Sequence, residues 1–196
     1  MFGQTPHLFG ANNIKVKQII SKITVYKNFI DTFSFSKQWA YPDYTFKDDS
    51  GHFEIGEDRK IIAGDTAHLY FTANCTTNVQ GGYDIRYCYA KKKKNEIILT
   101  FSDGLPAYAS QFYVHIDTSN FWCDAETIYP VIAIGQKKSC RIIKQKITVD
   151  KSKYSKRDTI KGFIEMEFTE TVDVPKKGVQ KRNLFLKGYF KTPITE

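Results

Sequence analysis

Long apolar runs are missing from this chain. No stretch approaches the roughly 18 consecutive apolar residues that a membrane-crossing helix needs, and the longest candidate, Tyr129 to Ile134, is strand-sized. Cysteine is scarce, with four in 196 residues. That is too few for a miniprotein built on disulfides. No two cysteines stand in a C-x2-C arrangement, which argues against a zinc site. Catalytic signatures are absent as well: the sequence has no G-x-S-x-G elbow, phosphate-binding G-x-x-x-x-G-K, H-E-x-x-H or dinucleotide fingerprint. It also lacks a fixed-period repeat, a low-complexity linker and a convincing domain boundary, so the 196 residues read as a single β-rich domain with residues 1–12 as a loose N-terminal arm.

What is abundant is aromatic and β-branched. Fifteen Phe and twelve Tyr favour strands. Turn residues punctuate short alternating runs along most of the chain. Gln111 to Asp117 alternates, with Phe112, Val114 and Ile116 on one side and Tyr113 and His115 on the other. Residues 14–25 are β-branched and predict strand, as do Phe53 to Ile55 and Lys60 to Ala63. Glu126 to Ile134 and Lys138 to Val149 predict two more around Gly135. In the second, Ile143, Ile147 and Val149 share a face opposite Lys144 and Lys146. The fold class that follows is all-β, an antiparallel β-sandwich or flattened barrel of about ten to thirteen strands.

Two hairpins carry most of that reading. In the last one, Ile160, Ile164, Met166 and Phe168 occupy one face of a strand. Leu184, Leu186 and Phe190 answer them across the turn Pro175-Lys176-Lys177-Gly178. Matching the apolar faces pairs Phe168 with Leu184 and Met166 with Leu186, and sets Glu170 opposite Arg182 and Glu165 opposite Lys187. Such cross-strand charge pairs contribute roughly a few tenths of a kcal/mol each.

The other hairpin spans Ala67 to Ala90 around Gly81-Gly82. A two-residue loop there would pair Gln80 with Tyr83 and bring Cys75 opposite Cys88, in disulfide range. A bridge would contribute about 3 kcal/mol in the chain-entropy model. That register also places Asp84 and Arg86 on the face of Phe71 and Ala73. A slip or bulge would merge the apolar faces and separate the sulfurs. The alternatives are therefore a Cys75–Cys88 bridge or two buried thiols. Cys123 and Cys140 remain as a second candidate pair, which requires Cys123 to fold back.

Charge is polarised. Residues 137–196 hold sixteen Lys and Arg against seven acids, while the first 136 hold thirteen against fourteen. The net charge of +8 therefore belongs to the C-terminal third, apart from the run Lys91, Lys92, Lys93 and Lys94. Those four with Lys144 and Lys146 form the candidate basic binding surface; the competing account is a solvated surface that keeps the chain soluble. Asp43 to Asp58 is acidic, and Asp48-Asp49-Ser50-Gly51 lacks the alternating ligand order of a calcium loop. No metal or cofactor is expected. Among the histidines, His115 with Tyr113 and Asp117 is the best candidate for acid–base work, although strand-face histidines are more often simply hydrogen-bonded.

The phrases Phe101-Ser102-Asp103-Gly104-Leu105-Pro106-Ala107-Tyr108-Ala109-Ser110 and Asp158-Thr159-Ile160-Lys161-Gly162-Phe163-Ile164-Glu165, with Lys187-Gly188-Tyr189-Phe190-Lys191-Thr192, resemble β-rich exported or lipoprotein-like proteins of unassigned function from Bacteroidetes-type bacteria. The resemblance covers roughly residues 60–194, carries no catalytic motif, and implies a sandwich-like fold and envelope localisation. Met1-Phe2-Gly3-Gln4-Thr5-Pro6 has neither a basic n-region nor an apolar h-region, which fits a cytosolic start or an exported chain whose signal has been trimmed. A hairpin disulfide favours the second, periplasmic or secreted. The functional expectation is a non-enzymatic recognition protein of the bacterial envelope. Its partner would be a protein with an acidic surface, such as a toxin that it neutralises as an immunity protein or inhibitor. A binding module for an acidic polymer (polysaccharide or nucleic acid) is the second reading and an unrecognised hydrolase the third.

Overall fold

The computed structural model describes residues 18–27, 45–47, 53–55, 59–62, 72–79, 85–102, 110–127 and 135–196. The N-terminal arm, the Gly81-Gly82 loop, the acidic Asp48–Gly51 turn and the proposed strand beyond Glu126 lie outside these residues, as do His7, His52 and His68. The strands are β1 (Ser21–Lys22), β2 (Thr24–Val25), β3 (Thr45–Lys47), β4 (Phe53–Ile55), β5 (Ala73–Thr77) and β6 (Tyr87–Lys93), then β7 (Glu96–Ser102), β8 (Gln111–Asp117), β9 (Asn120–Glu126), β10 (Lys137–Val149), β11 (Thr159–Val174) and β12 (Gly178–Thr195). No helix occurs among the described residues. Lys60, Ile61 and Ile62, read from sequence as strand, are not in one.

β3 and β4 make a separate antiparallel pair, and the remaining strands form one ten-stranded sheet in the order β1-β9-β8-β7-β6-β12-β11-β10-β2, with β5 added on β12. Most neighbours are antiparallel; β12 with β6 and β10 with β2 are parallel. The ends of this order meet, because β1 and β2 are consecutive pieces of one segment. β1 pairs with β9 and β2 with β10. The result is an all-β flattened barrel that is almost closed.

The core follows from two-residue alternation. β11 buries Ile160, Ile164, Met166 and Phe168 fully, and Leu186 and Phe190 of β12 join them. Edge-on aromatic contacts tie the two broad walls together. Phe101 of β7 meets Phe190 at 5.4 Å between centroids, and Phe112 of β8 meets Phe168 at 5.9 Å. The register of β11 and β12 pairs Phe168 with Leu184, Met166 with Leu186, Glu170 with Arg182 and Glu165 with Lys187, as the apolar faces require.

The Ala67–Ala90 stretch does not form the expected hairpin ladder: β5 pairs with β12, and among the described residues it meets the β6 side only through an isolated bridge and a few main-chain bonds. Cys75 bridges to Ile85, three residues short of Cys88. Cys88 instead sits beside Thr72, whose hydroxyl donates to the Cys88 carbonyl and accepts its N–H at 2.8 and 2.7 Å. The N–H groups of Thr72 and Ala73 both reach the Arg86 carbonyl. Consecutive Tyr87 and Cys88 are both buried, so the strand changes face there as a bulged strand does. This register puts Ala73, Cys75, Ile85 and Tyr87 together in the core and leaves Cys75, Cys88, Cys123 and Cys140 as free thiols. Apolar burial decided the register, and the expected disulfides do not form.

A second bulge corrects β10. Its pairing with β11 shifts between Ile142 and Lys144, which throws Ile143 out to 52% exposure while Ile147 and Val149 stay buried. Before the bulge Cys140 and Ile142 lean inward; after it the inward series is Gln145, Ile147 and Val149.

Candidate functional site

One end of the barrel gathers the β6–β7 tip, the β8–β9 tip and the loop after β10. Between them lies a half-open cavity of about 250 Å³. Its floor is apolar: Ile97, Ile116 and Val149 are the last inward-facing residues of their strands, and Ile23 joins them from the segment that closes the barrel. Its rim is cationic, with Lys92, Lys94, Lys151 and Lys153 alongside Asn95, Thr118 and Ser152.

Each rim lysine is placed by a local structural cause. Alternation along β6 turns Lys92 toward the barrel axis and Lys91 and Lys93 to solvent. Lys94 takes positive φ (52°) in the tip turn. Lys151, Ser152 and Lys153 ride on a loop pinned by Tyr154, which is nearly buried. The Tyr154 hydroxyl donates to Asp150 Oδ1 at 2.6 Å and accepts the Lys151 N–H at 3.0 Å, and its carbonyl accepts from Lys92 Nζ at 2.7 Å. Burial and the bond to Asp150 hold the Tyr154 phenol well above its ordinary value. The rim is therefore fixed in part.

The acids near this end are Asp150, held by the Tyr154 hydroxyl, Glu96, bound to His115, and Asp158 and Asp117. Lys151 Nζ stands 4.0 Å from Asp158 Oδ2, and Asp117 accepts a hydrogen bond from Thr118 at 3.2 Å. Among the described residues neither Lys94 nor Lys153 has an acidic partner. Lys92 binds only a neutral carbonyl and keeps its charge, so with Lys94 and Lys153 it leaves the mouth of this apolar-floored cavity cationic, a setting that would suit an anion.

The six lysines singled out from sequence do not form one surface. Lys92 and Lys94 line the cavity, and Lys91 and Lys93 project from the neighbouring strand face. Lys144 lies on the outer wall of β10, held by Glu165 and Glu167 at 3.4 and 3.2 Å, and these bonds raise its ammonium pKa. Lys146 is paired with Glu165 on that wall. Lys151 and Lys153 were missed, although the charge surplus after residue 137 pointed to their segment.

His115 has partners other than the one expected. Its Nδ1 is 2.6 Å from Glu96 Oε1 and its Nε2 is 3.6 Å from Asp124 Oδ2, while Asp117 turns to Thr118. The ring stacks flat on Trp122, centroids 5.0 Å apart. Tyr113 donates its hydroxyl to Gln111. Burial pushes the Asp124 carboxyl up, an effect that His115 and Gln18 partly offset. The group sits on the outer wall and does not line the cavity.

A second polar cluster occupies the opposite end. Glu170 falls in the inward series of β11 and is wholly buried. Its Oε2 accepts from Arg182 Nε at 2.7 Å, its Oε1 accepts from the Thr127 hydroxyl, and Lys138 Nζ is 3.7 Å away. Lys138 also donates to the Thr127 carbonyl at 3.0 Å. The expected cross-strand pair of Glu170 with Arg182 forms, with the wholly buried Glu170 at the centre of a larger network. Cys140 lies directly across from Glu170, and burial raises its thiol.

No family model matches the chain, and no curated protein and no solved structure matches it. What the molecule does has to be read from its own geometry. Among the described residues no three His, Cys, Asp or Glu side chains converge to hold a metal ion, and no helix is long and apolar enough to cross a membrane.

Proposed function

We propose that this is a non-catalytic recognition protein that engages an acidic protein partner through the lysine-rimmed end of its barrel, in the manner of an inhibitor or immunity protein. The observation that carries the reading is the convergence of Lys94 and Lys153, uncompensated among the described residues, on one face of a rigid barrel. Rigid tips presenting unpaired charge lose little conformational freedom on docking. Complementary charge speeds the encounter and rejects basic competitors. Cys75 and Cys88 are free thiols, so no disulfide here favours an oxidising compartment.

The test compares wild-type bait with the Lys94→Glu/Lys153→Glu double variant in pull-downs from the source cells. Both sites are exposed, so folding should be preserved, which circular dichroism would check. A complex captured at low salt, released at high salt and absent with the variant is expected. Equal capture by both baits would count against this face. An acidic polymer is the second reading, favoured by the same lysines. Retention of the wild type on heparin with no protein captured would select it.

A further inference from the structure

We infer that the end cavity takes a phosphate monoester carried on a ring-sized apolar body, either a free small molecule or a phosphorylated aromatic side chain of the partner. The inference rests on the anion-binding reading of this barrel end and names what enters it. Three features of the cavity restrict the ligand together.

The first is size. A dry cavity of about 150 Å³ admits benzene, and this one is about 250 Å³. It therefore has room for a single ring and a head group but not for a long acyl chain. The second is polarity by depth. Ile23, Ile97, Ile116 and Val149 form the floor, while lysines and polar side chains form the rim. The apolar body must go in first, with the charge left at the mouth. That order also argues against a membrane lipid, whose tail would have to point outward.

The third is charge. A phosphate monoester carries between about −1.5 and −2 at neutral pH, which suits a mouth where Lys92, Lys94 and Lys153 all lack an acidic partner among the described residues. Lys92 is held by the Tyr154 carbonyl, which leaves its charge intact, and Lys151 shares its charge with Asp158 at 4.0 Å. The Asn95 amide and the Ser152 hydroxyl at the rim are further donors for phosphate oxygens. Asp117, beside Thr118, is the nearest opposing charge on the β8–β9 tip. A carboxylate on the same body carries less negative charge toward these cations and is expected to bind more weakly.

The experiment is calorimetric titration of the whole chain with phenyl phosphate, inorganic phosphate, benzoate and a phosphotyrosyl peptide. Phenyl phosphate should bind saturably, and inorganic phosphate about tenfold to a hundredfold more weakly, the factor expected from burying one ring. Lys94→Gln/Lys153→Gln should lose at least tenfold in affinity, and Ser152→Trp, which fills the mouth without changing charge, should abolish binding. A peptide that binds at least tenfold more tightly than phenyl phosphate identifies the partner as the source; equal affinity identifies a free ligand. Inorganic phosphate binding as well as phenyl phosphate, or phenyl phosphate unaffected by either variant, would overturn the inference. No binding of phenyl phosphate or the peptide would also overturn it. If the charge-reversed bait still loses its macromolecular partner in that event, the proposed function stands without it.

Discussion

The side-chain oxygen of Gln145 accepts the main-chain N–H of Cys123 at 2.9 Å. It does so across the one junction of the barrel where β9 and β10 are not joined by a ladder. The Gln145 amide nitrogen completes the seam by donating to the Ile19 carbonyl at 2.8 Å and to the Ser21 hydroxyl at 3.0 Å. Gln145→Leu keeps the volume and removes all of these bonds. With the Cys123 N–H left unsatisfied, the loss should be about 2 kcal/mol. Urea unfolding would measure it, and faster hydrogen exchange at Cys123 and Ile23 would place the damage at the seam.

Gly188 of β12 lies across from Cys75 in the β5 pairing. A β-carbon there would fall 2.2 Å from the Asn74 carbonyl oxygen and 2.4 Å from the Cys75 α-carbon, both backbone atoms. Gly188→Ala should therefore push β5 off the sheet and destabilise by about 1–3 kcal/mol. Gly178→Ala is the control, since its added carbon meets nothing within 4 Å but its φ of +82° is costly for alanine. That change should lose about 1 kcal/mol. Thermal unfolding of both variants would check the ranking.

Removing Glu170 leaves Arg182 and Lys138 facing a buried space with no counter-charge. Because Arg182 is 40% exposed and can be solvated once its partner is gone, Glu170→Ala should cost about 2–3 kcal/mol, below the range for a fully buried pair. The combined replacement Glu170→Leu/Arg182→Met/Lys138→Met should recover much of that loss. Chemical denaturation of the single and triple variants would decide it. A triple variant as unstable as the single one would mean that packing, not charge, is what Glu170 contributes.

Burial raises the thiols of Cys75, Cys88, Cys123 and Cys140 and the phenol of Tyr154 above their ordinary values. A raised folded pKa means that the fold keeps protons which the unfolded chain releases. Their stabilisation is complete below the ordinary thiol value of 9.0 and declines as pH rises beyond it. The loss grows by about 1.4 kcal/mol per pH unit for each group that stays protonated. Lys138, lowered by burial, works in the opposite sense below its ordinary 10.5 but is one group against five. Midpoints of urea unfolding should fall steeply above pH 9. Native protein should react slowly with thiol reagents at pH 8 and fully once unfolded, with the intact mass showing no bridge.

The final hairpin was legible in the sequence because apolar alternation and cross-strand charge give the same register for Phe168, Met166, Leu184 and Leu186. The Ala67–Ala90 hairpin was not, because its turn signal and its apolar pattern conflict, and burial of Ile85 and Tyr87 outweighed the two-residue loop. Ile143 was misplaced for a related reason: a bulge changes the parity of a strand without changing its composition. Even parity along β11 does put Glu170 on the core face, so its burial was readable, but a charge invites the opposite assumption. The cavity rim draws Lys92, Lys94, Lys151 and Lys153 from two loops far apart in the chain. No local pattern joins them.

Because Ser21 to Val25 supplies both β1 and β2, one short segment finishes the wall between β9 and β10. Gln145, which holds it, follows 126 residues after Ile19. β1 needs β9 and β2 needs β10, so the segment docks fully only when both walls are in place, and Ile20 is 67% exposed even then. The seam is therefore a closure of long sequence separation, the kind of contact whose chain-entropy cost makes it slow to form.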